Sequence, residues 1–319
     1  MVDVLVILDG ASEPLGSGPT SLERARTPVL DRLARAGTLA RLRTVPEGLP
    51  PGSESGIPTL LGWPPSAPVD RGALEAAAHG VALAPGERAW RVDALGPDGR
   101  RAQEAGAAAA ARSLRERLHE HRVLRLSGHR LLVCGAPPLP ALGAGLRAWP
   151  EGALPPRLLS ESTTVVAAAG AAAGVGRLMG ARVVVPPGAT GKPDTDLAAK
   201  LRAAVDAVED GAERVVVHVG SPDEAAHERD AGGKVAAIER ADRELVAPLA
   251  ACLRAAGGTL SVCPDHGCDP RTGEHDAAPV PALRWAVAAP AAGGRRLTER
   301  AVAALPVTEP LAAAEVALA

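Results

Sequence analysis

Apolar positions in this chain fall in short unbroken blocks, each followed by a turn and then by a stretch with helical spacing. The first block, Val4 to Leu8, ends in Asp9-Gly10. A continuous apolar run of that length predicts a strand buried on both faces of a parallel sheet, with Asp9 delivered to its C-terminal edge. Thr27-Pro28 then reads as a helix start, with Thr27 as N-cap and Pro28 at the first helical position. Val29, Leu30, Leu33 and Ala34 form one apolar face before Gly37 ends the helix. The unit recurs at 164–168 with the Ala/Gly-rich stretch behind it, at 183–185 with a helix from Thr195, and at 215–219 with a helix from Lys234. A further strand spans 259–263. Alternation of this kind predicts an α/β fold around a central, mostly parallel sheet.

The alternation weakens between 64 and 156, where Gly96-Pro97-Asp98-Gly99, Ala136-Pro137-Pro138 and Trp149-Pro150 punctuate the chain. We read 64–156 as an inserted, smaller second domain, and 1–63 with 157–319 as the core domain. No internal repeat is evident, and the alanine runs at 107–111 and 171–173 read as helix filler.

Composition narrows the function classes. The 319 residues carry 35 Lys and Arg against 37 Asp and Glu, a formal charge of −2, with no block of like charge. Four Trp, no Tyr and no Phe leave few platforms on which nucleic-acid bases could stack, so no nucleic-acid partner is expected. Cys134, Cys252, Cys263 and Cys268 form no Cys-x-x-Cys pair and suit a reducing compartment; Cys263 and Cys268 read as small buried hydrophobes. The start Met1-Val2-Asp3-Val4-Leu5 lacks a basic leader, and no apolar run reaches the ~18 residues of a membrane span. A cytoplasmic protein without a membrane partner is the expectation. Oligomeric state is left open.

The chemistry gathers at predicted strand ends. Asp223 and His227 are spaced i, i+4, on one face of a helical turn just past the strand at 215–219. Asp265-His266 follows the strand at 259–263, and His275 lies just beyond. With Asp9, these carboxylates and imidazoles converge on the sheet edge where α/β sites form, and their chemistry suits divalent cations. Each residue alone has a plainer reading, as a solvated pair or a surface histidine; the set does not. Ser53, after Pro50-Pro51-Gly52, is placed to open a short helix, as an N-cap, a nucleophile or both; Ser55 competes for the second role. Gly174-Val175-Gly176 opens a run whose spacing does not fit a dinucleotide loop, and helix packing accounts for it better.

The chain resembles the archaeal-type cofactor-independent phosphoglycerate mutases of the alkaline phosphatase superfamily. The resemblance rests on Leu8-Asp9-Gly10, on 20–25 with 27–31, on Pro51-Gly52-Ser53-Glu54-Ser55 with 60–63, and on 71–76 and Gly128-His129-Arg130. It continues through 187–191, Pro222-Asp223-Glu224-Ala225-Ala226-His227 with Lys234, and Pro264-Asp265-His266, and so spans nearly the whole chain. It implies an alkaline-phosphatase-like core, an inserted smaller α/β domain at 64–156 that serves as a substrate-binding cap, and two divalent ions (Mn, Mg or Zn). Asp9, Ser53, Asp265 and His266 would hold one; Asp223, His227 and His275 would hold the other. It further implies a phosphoserine at Ser53 and a small phosphorylated substrate, with Arg71, Arg130, Arg177 and Lys200 as phosphate or carboxylate clamps. Two departures stand out: Gly135-Ala136-Pro137-Pro138-Leu139-Pro140 replaces an acid-proline-histidine loop, and an asparagine- and arginine-bearing segment before 164 is absent. The expected activity is isomerisation of 3-phosphoglycerate to 2-phosphoglycerate. The alternative is a phosphohydrolase, or a mutase acting on another phosphorylated or phosphonate-bearing acid.

Overall fold

The computed structural model describes residues 1–16, 18–287 and 295–310. The chain divides into two compact units, Met1–Ser66 with Pro155–Ala319, and Ala67–Leu154.

The first unit is built on an eight-stranded sheet in the order Val307–Thr308, Thr38–Leu42, Val280–Ala286, Gly258–Cys263, Val2–Leu8, Arg214–Val219, Thr163–Val166, Arg182–Val184. Pairing is parallel except where Val280–Ala286 runs against its two neighbours. Val2–Leu8 lies in the middle, as its unbroken apolarity requires. Alternate residues Val4, Val6 and Leu8 join Val215, Val217, Leu260 and Val262 on one face. There they pack with Leu30, Leu33, Ile238, Leu245, Leu249 and Leu253 from helices of the same unit.

Register decides where the chemistry lands. Ile7 pairs with Cys263 on one side and with His218 on the other. Asp9, Asp265 and the chain entering helix Ser221–His227 therefore leave the sheet at one level, at its C-terminal edge.

Helix Pro28–Ala36 forms where expected, with Thr27 at the N-cap position, but the capping bonds come from elsewhere. The Thr27 side chain makes no capping bond. Instead the buried Asp242 carboxylate, more than two hundred residues away, accepts from Val29 N (3.1 Å) and Leu30 N (2.7 Å). Thr27 turns its hydroxyl to Asp31. The helix expected from Lys234 starts earlier, at Ala231, capped by Asp230.

The second unit has a four-stranded antiparallel sheet in the order Arg122–Arg125, Arg130–Gly135, Arg88–Ala94, Leu146–Ala148. Helix Glu104–Arg117 contains the first alanine run and buries Ala107, Ala111 and Leu114. Trp90, Val92, Leu114, Leu131 and Val133 make a separate core. No helix among the described residues is long and apolar enough to cross a membrane.

Candidate metal centre

Asp9 follows its strand directly and is 7 % exposed. Its Oδ1 accepts from Ser53 Oγ (3.2 Å) and lies 3.2 Å from His266 Nε2. The turn after it needs Gly10, whose φ is +58° and where a Cβ would stand 2.3 Å from Asp223 Oδ1. Ser53 is the first residue of helix Ser53–Leu60, with Gly52 at the N-cap. Its hydroxyl therefore does not cap the helix; it faces Asp9 and, at 3.4 Å, His266 Nε2. Ser55 is fixed elsewhere, donating to Pro50 O at 3.0 Å. Gly56 lets this helix approach, since a Cβ there would meet Asp265 O at 2.1 Å.

Asp223 and His227 share one face of helix Ser221–His227, with Oδ2 and Nε2 3.1 Å apart. His275, on the short strand Glu274–Asp276, brings its Nε2 to 3.0 Å from His227 Nε2 and 3.4 Å from Asp223 Oδ1. Thus Asp9, Ser53, Asp223, His227, Asp265, His266 and His275, scattered over 267 positions of sequence, meet at one sheet edge.

The hydrogen bonds orient all three imidazoles alike. Nδ1 of His227 faces Gly273 O (2.9 Å), Nδ1 of His266 faces Gly267 O (3.0 Å), and Nδ1 of His275 faces Pro51 O (3.0 Å). A carbonyl only accepts, so each Nδ1 carries a proton, and in the neutral form of such a ring the Nε2 lone pair turns inward. Two such lone pairs, on His227 and His275, then oppose each other at 3.0 Å. That arrangement is repulsive unless a positive charge lies between or beside them.

The carboxylates make the same demand. Asp265 is fully buried; its Oδ1 accepts from Gly10 N and His266 N, both at 3.1 Å. Its Oδ2 and Asp223 Oδ1 are buried and accept no hydrogen bond among the described residues. A buried orphan acceptor costs about 1–3 kcal/mol, more when charged, so these oxygens fit cation ligands. Burial, then the neighbouring Asp9 charge, pushes the Asp265 carboxyl up to about 6. Burial works to neutralise His266, yet the charges of Asp265, Asp223 and Asp9 outweigh it and hold the ring well above its ordinary pKa. A divalent cation would answer that negative field with more charge than protons on imidazole supply.

Three groups of potential donors lie within 4.8 Å of one another: Asp223, His227, Cys268 and His275; Asp9, Asp223 and His266; Asp9, His218 and Asp265. Sequence reasoning missed His218 and took Cys268 for a buried hydrophobe. His218 Nε2 lies 3.2 Å from Asp9 Oδ2. The available signal was a single polar residue within the apolar run at 215–219, one that a buried strand would not carry without a role.

The four cationic candidates separate. Lys200 is fully buried in the first unit and donates to His218 O at 2.6 Å; burial, opposed by the Asp9 charge, brings its ammonium down to about 8. Arg177 lines a surface cleft of about 520 Å³ with Arg157, Glu161 and Arg182, and no carboxylate or histidine of the centre lines that cleft. Arg71 and Arg130 belong to the second unit, 3.6 and 3.9 Å from the buried Glu75 Oε1. A third arginine, Arg91, sits between them in chemistry: it donates to Glu75 (3.0 Å) and Asp93 (3.0 Å) and is almost fully buried. The guanidinium carbons of Arg71 and Arg91 lie over the Trp149 ring, 5.3 and 5.1 Å from its centroid.

Residues 1–289 match the metalloenzyme superfamily. The chain is 29% identical over 368 aligned residues to the 2,3-bisphosphoglycerate-independent phosphoglycerate mutase of Methanopyrus kandleri, covering 88% of this chain and 87% of that one. It is 31% identical over 342 residues to the enzyme of the same name from Methanothrix thermoacetophila, covering 86% of each. Among solved structures, the PH0037 protein of Pyrococcus horikoshii shares the fold at a TM-score of 0.81 and 24% identity, over 99% of this chain and 95% of that one. The cofactor-independent phosphoglycerate mutase of Thermoplasma acidophilum does so at 0.62 and 19% identity, over 97% of each. With a buried carboxylate-histidine centre at the sheet edge and relatives matched along nearly their whole length, this chain belongs to the metalloenzyme superfamily and, within it, to the isomerase family of cofactor-independent phosphoglycerate mutases.

Proposed function

We propose that the protein interconverts 3-phosphoglycerate and 2-phosphoglycerate by phosphoryl transfer through Ser53. Two divalent cations would assist, one that Asp9, Ser53, Asp265 and His266 would hold and one that Asp223, His227 and His275 would hold. The observation that carries this reading is the opposed pair of Nε2 lone pairs at 3.0 Å beside two orphaned carboxylate oxygens, with a serine hydroxyl in the same pocket. Bound there, divalent ions would offset the phosphoryl charge and favour the ionised serine oxygen.

The remaining work falls to the chain itself. Asp9 Oδ1 takes the hydrogen bond of the Ser53 hydroxyl and so aims the oxygen. The substrate phosphorus–oxygen bond breaks as the Ser53 Oγ–phosphorus bond forms, and the proton lost from Ser53 is matched by the one the freed glycerate oxygen takes up; the Ser53 Oγ–phosphorus bond then breaks as the neighbouring hydroxyl oxygen bonds the phosphorus, and the proton it loses restores the Ser53 hydroxyl. Buried Lys200 adds positive potential behind His218. In the second unit, Arg71, Arg91 and Arg130 gather around Glu75, with Arg91 also paired to Asp93, a cluster of the kind that binds a carboxylate or phosphate. The 135–140 segment, without the acid-proline-histidine loop, favours as a second reading the transfer of phosphoryl to water or to a different small phosphorylated or phosphonate-bearing acid.

Metal-loaded protein given 3-phosphoglycerate, with enolase-coupled detection, is expected to yield 2-phosphoglycerate. Ser53→Ala should lower turnover by at least about 10³-fold while keeping the thermal midpoint. A phosphate-mass increment on the Ser53 peptide of quenched wild type marks the intermediate. Release of inorganic phosphate alone would favour the second reading, and full activity of Ser53→Ala would remove the serine from the mechanism.

A further inference from the structure

Cys268 occupies a position that the proposed reaction does not use. Its strand, Gly267–Asp269, pairs antiparallel with Glu274–Asp276, and Cys268 stands directly opposite His275. Directly opposed residues of an antiparallel pair project to the same face, so the thiol and the imidazole enter the centre side by side. The Cys268 sulfur and the donor atoms of Asp223, His227 and His275 all lie within 4.8 Å of one another. Zinc–sulfur and zinc–nitrogen bonds of about 2.0–2.3 Å bring any two donors of one ion within about 4.6 Å.

The backbone around the sulfur is anchored on both sides. Cys268 N donates to Ser12 O at 2.9 Å, and Cys268 O accepts from the fully buried Lys234 ammonium at 2.6 Å. Lys234 also donates to Ser12 O and pairs with Glu13, which ties the ribbon to the turn after the first strand. Cys268 is fully buried, and the neighbouring Asp223 Oδ1, itself buried, accepts no hydrogen bond among the described residues. A buried sulfur on an anchored backbone, beside a buried carboxylate oxygen and two imidazoles, is the mark of a built donor set.

We propose that Cys268 is the fourth ligand of the Asp223–His227–His275 site, as a thiolate, and that this site therefore prefers a thiophilic cation of the zinc, cadmium or cobalt class. The Asp9–Ser53–Asp265–His266 site, which has no sulfur, remains suited to harder ions. On binding, the sulfur–hydrogen bond gives way to a sulfur–metal bond and the proton leaves to solvent; no oxidant or reductant is needed. The inference rests on the two-cation reading given above.

Metal-stripped full-length protein titrated with cobalt(II) separates the two. The expected result is visible d–d absorption together with a near-ultraviolet sulfur-to-cobalt charge-transfer band. Cys268→Ser should abolish the charge-transfer band, keep the d–d absorption and weaken cadmium binding by about 10–100-fold or more. Cys263→Ser is the control and should keep the band, because the Cys263 thiol donates to Pro264 O at 3.0 Å. If Cys268→Ser does not fold, the cadmium-113 shift of loaded wild type reports sulfur ligation without any variant. Cobalt d–d absorption with no charge-transfer band in the wild type overturns the Cys268 assignment and leaves the centre standing. Absence of any cobalt binding overturns the centre itself.

Discussion

Glu75 illustrates how a single buried carboxylate organises its surroundings. Burial alone would raise its pKa, but Arg71, Arg91 and Arg130 outweigh that and hold it below its ordinary 4.5. A folded pKa held below the unfolded one means that the ionised form stabilises the fold. That contribution is present in full above the unfolded value and is lost as pH falls through the lower, folded one. Acid titration followed by tryptophan fluorescence, with Trp90 and Trp149 in the same unit, should therefore show this unit losing stability below about pH 4.5. Glu75→Gln should flatten that dependence and destabilise the protein by up to about 3–5 kcal/mol at neutral pH, because it leaves buried Arg91 with Asp93 as its one carboxylate partner. An unchanged acid profile in the variant would show that the arginines balance against Asp93 instead. At the same scale, Ser53 and Ser55 were open competitors in the sequence. Only the neighbours of each hydroxyl separate them: Asp9 for one, the Pro50 carbonyl for the other.

Among elements, helix Pro28–Ala36 shows the reach of a local pattern. Its start at Pro28, its apolar face and its end at Gly37 follow from spacing and from the proline's fixed φ, all properties of nearby residues. Its cap does not, since a free backbone N–H takes whichever acceptor the fold brings closest, and here that is Asp242. Asp242→Ala is accordingly expected to cost about 1–2 kcal/mol in chemical denaturation, and Thr27→Ala a few tenths. The reverse ranking would restore Thr27 as the cap. The strand ends behave in the same way. The apolar runs at 4–8, 215–219 and 259–263 could be read as buried strands, but the order that places Val2–Leu8 between the other two is a long-range choice. That choice turns three separate motifs into one pocket.

Over the whole molecule, the centre concentrates Asp9, Asp223 and Asp265 in a buried site whose mutual repulsion the fold must tolerate. Saturating divalent cation should therefore raise the thermal midpoint, by the equivalent of about 2.7 kcal/mol at a hundredfold excess over Kd, and a chelator should reverse the shift. A midpoint indifferent to both would count against cation binding by the folded chain. The sequence by itself determined the α/β class, the main strands of the large sheet and the residue types able to hold a cation, because periodicity and side-chain chemistry are local. Tertiary structure alone decided that His218 and Cys268 stand among those donors and that Asp242 caps a distant helix. It alone also decided that Arg91 lies buried between Glu75 and Asp93 while Arg177 lines a separate cleft. Each of these outcomes depends on which distant segments meet and at what register, and pairing across hundreds of residues leaves no periodic trace along the chain.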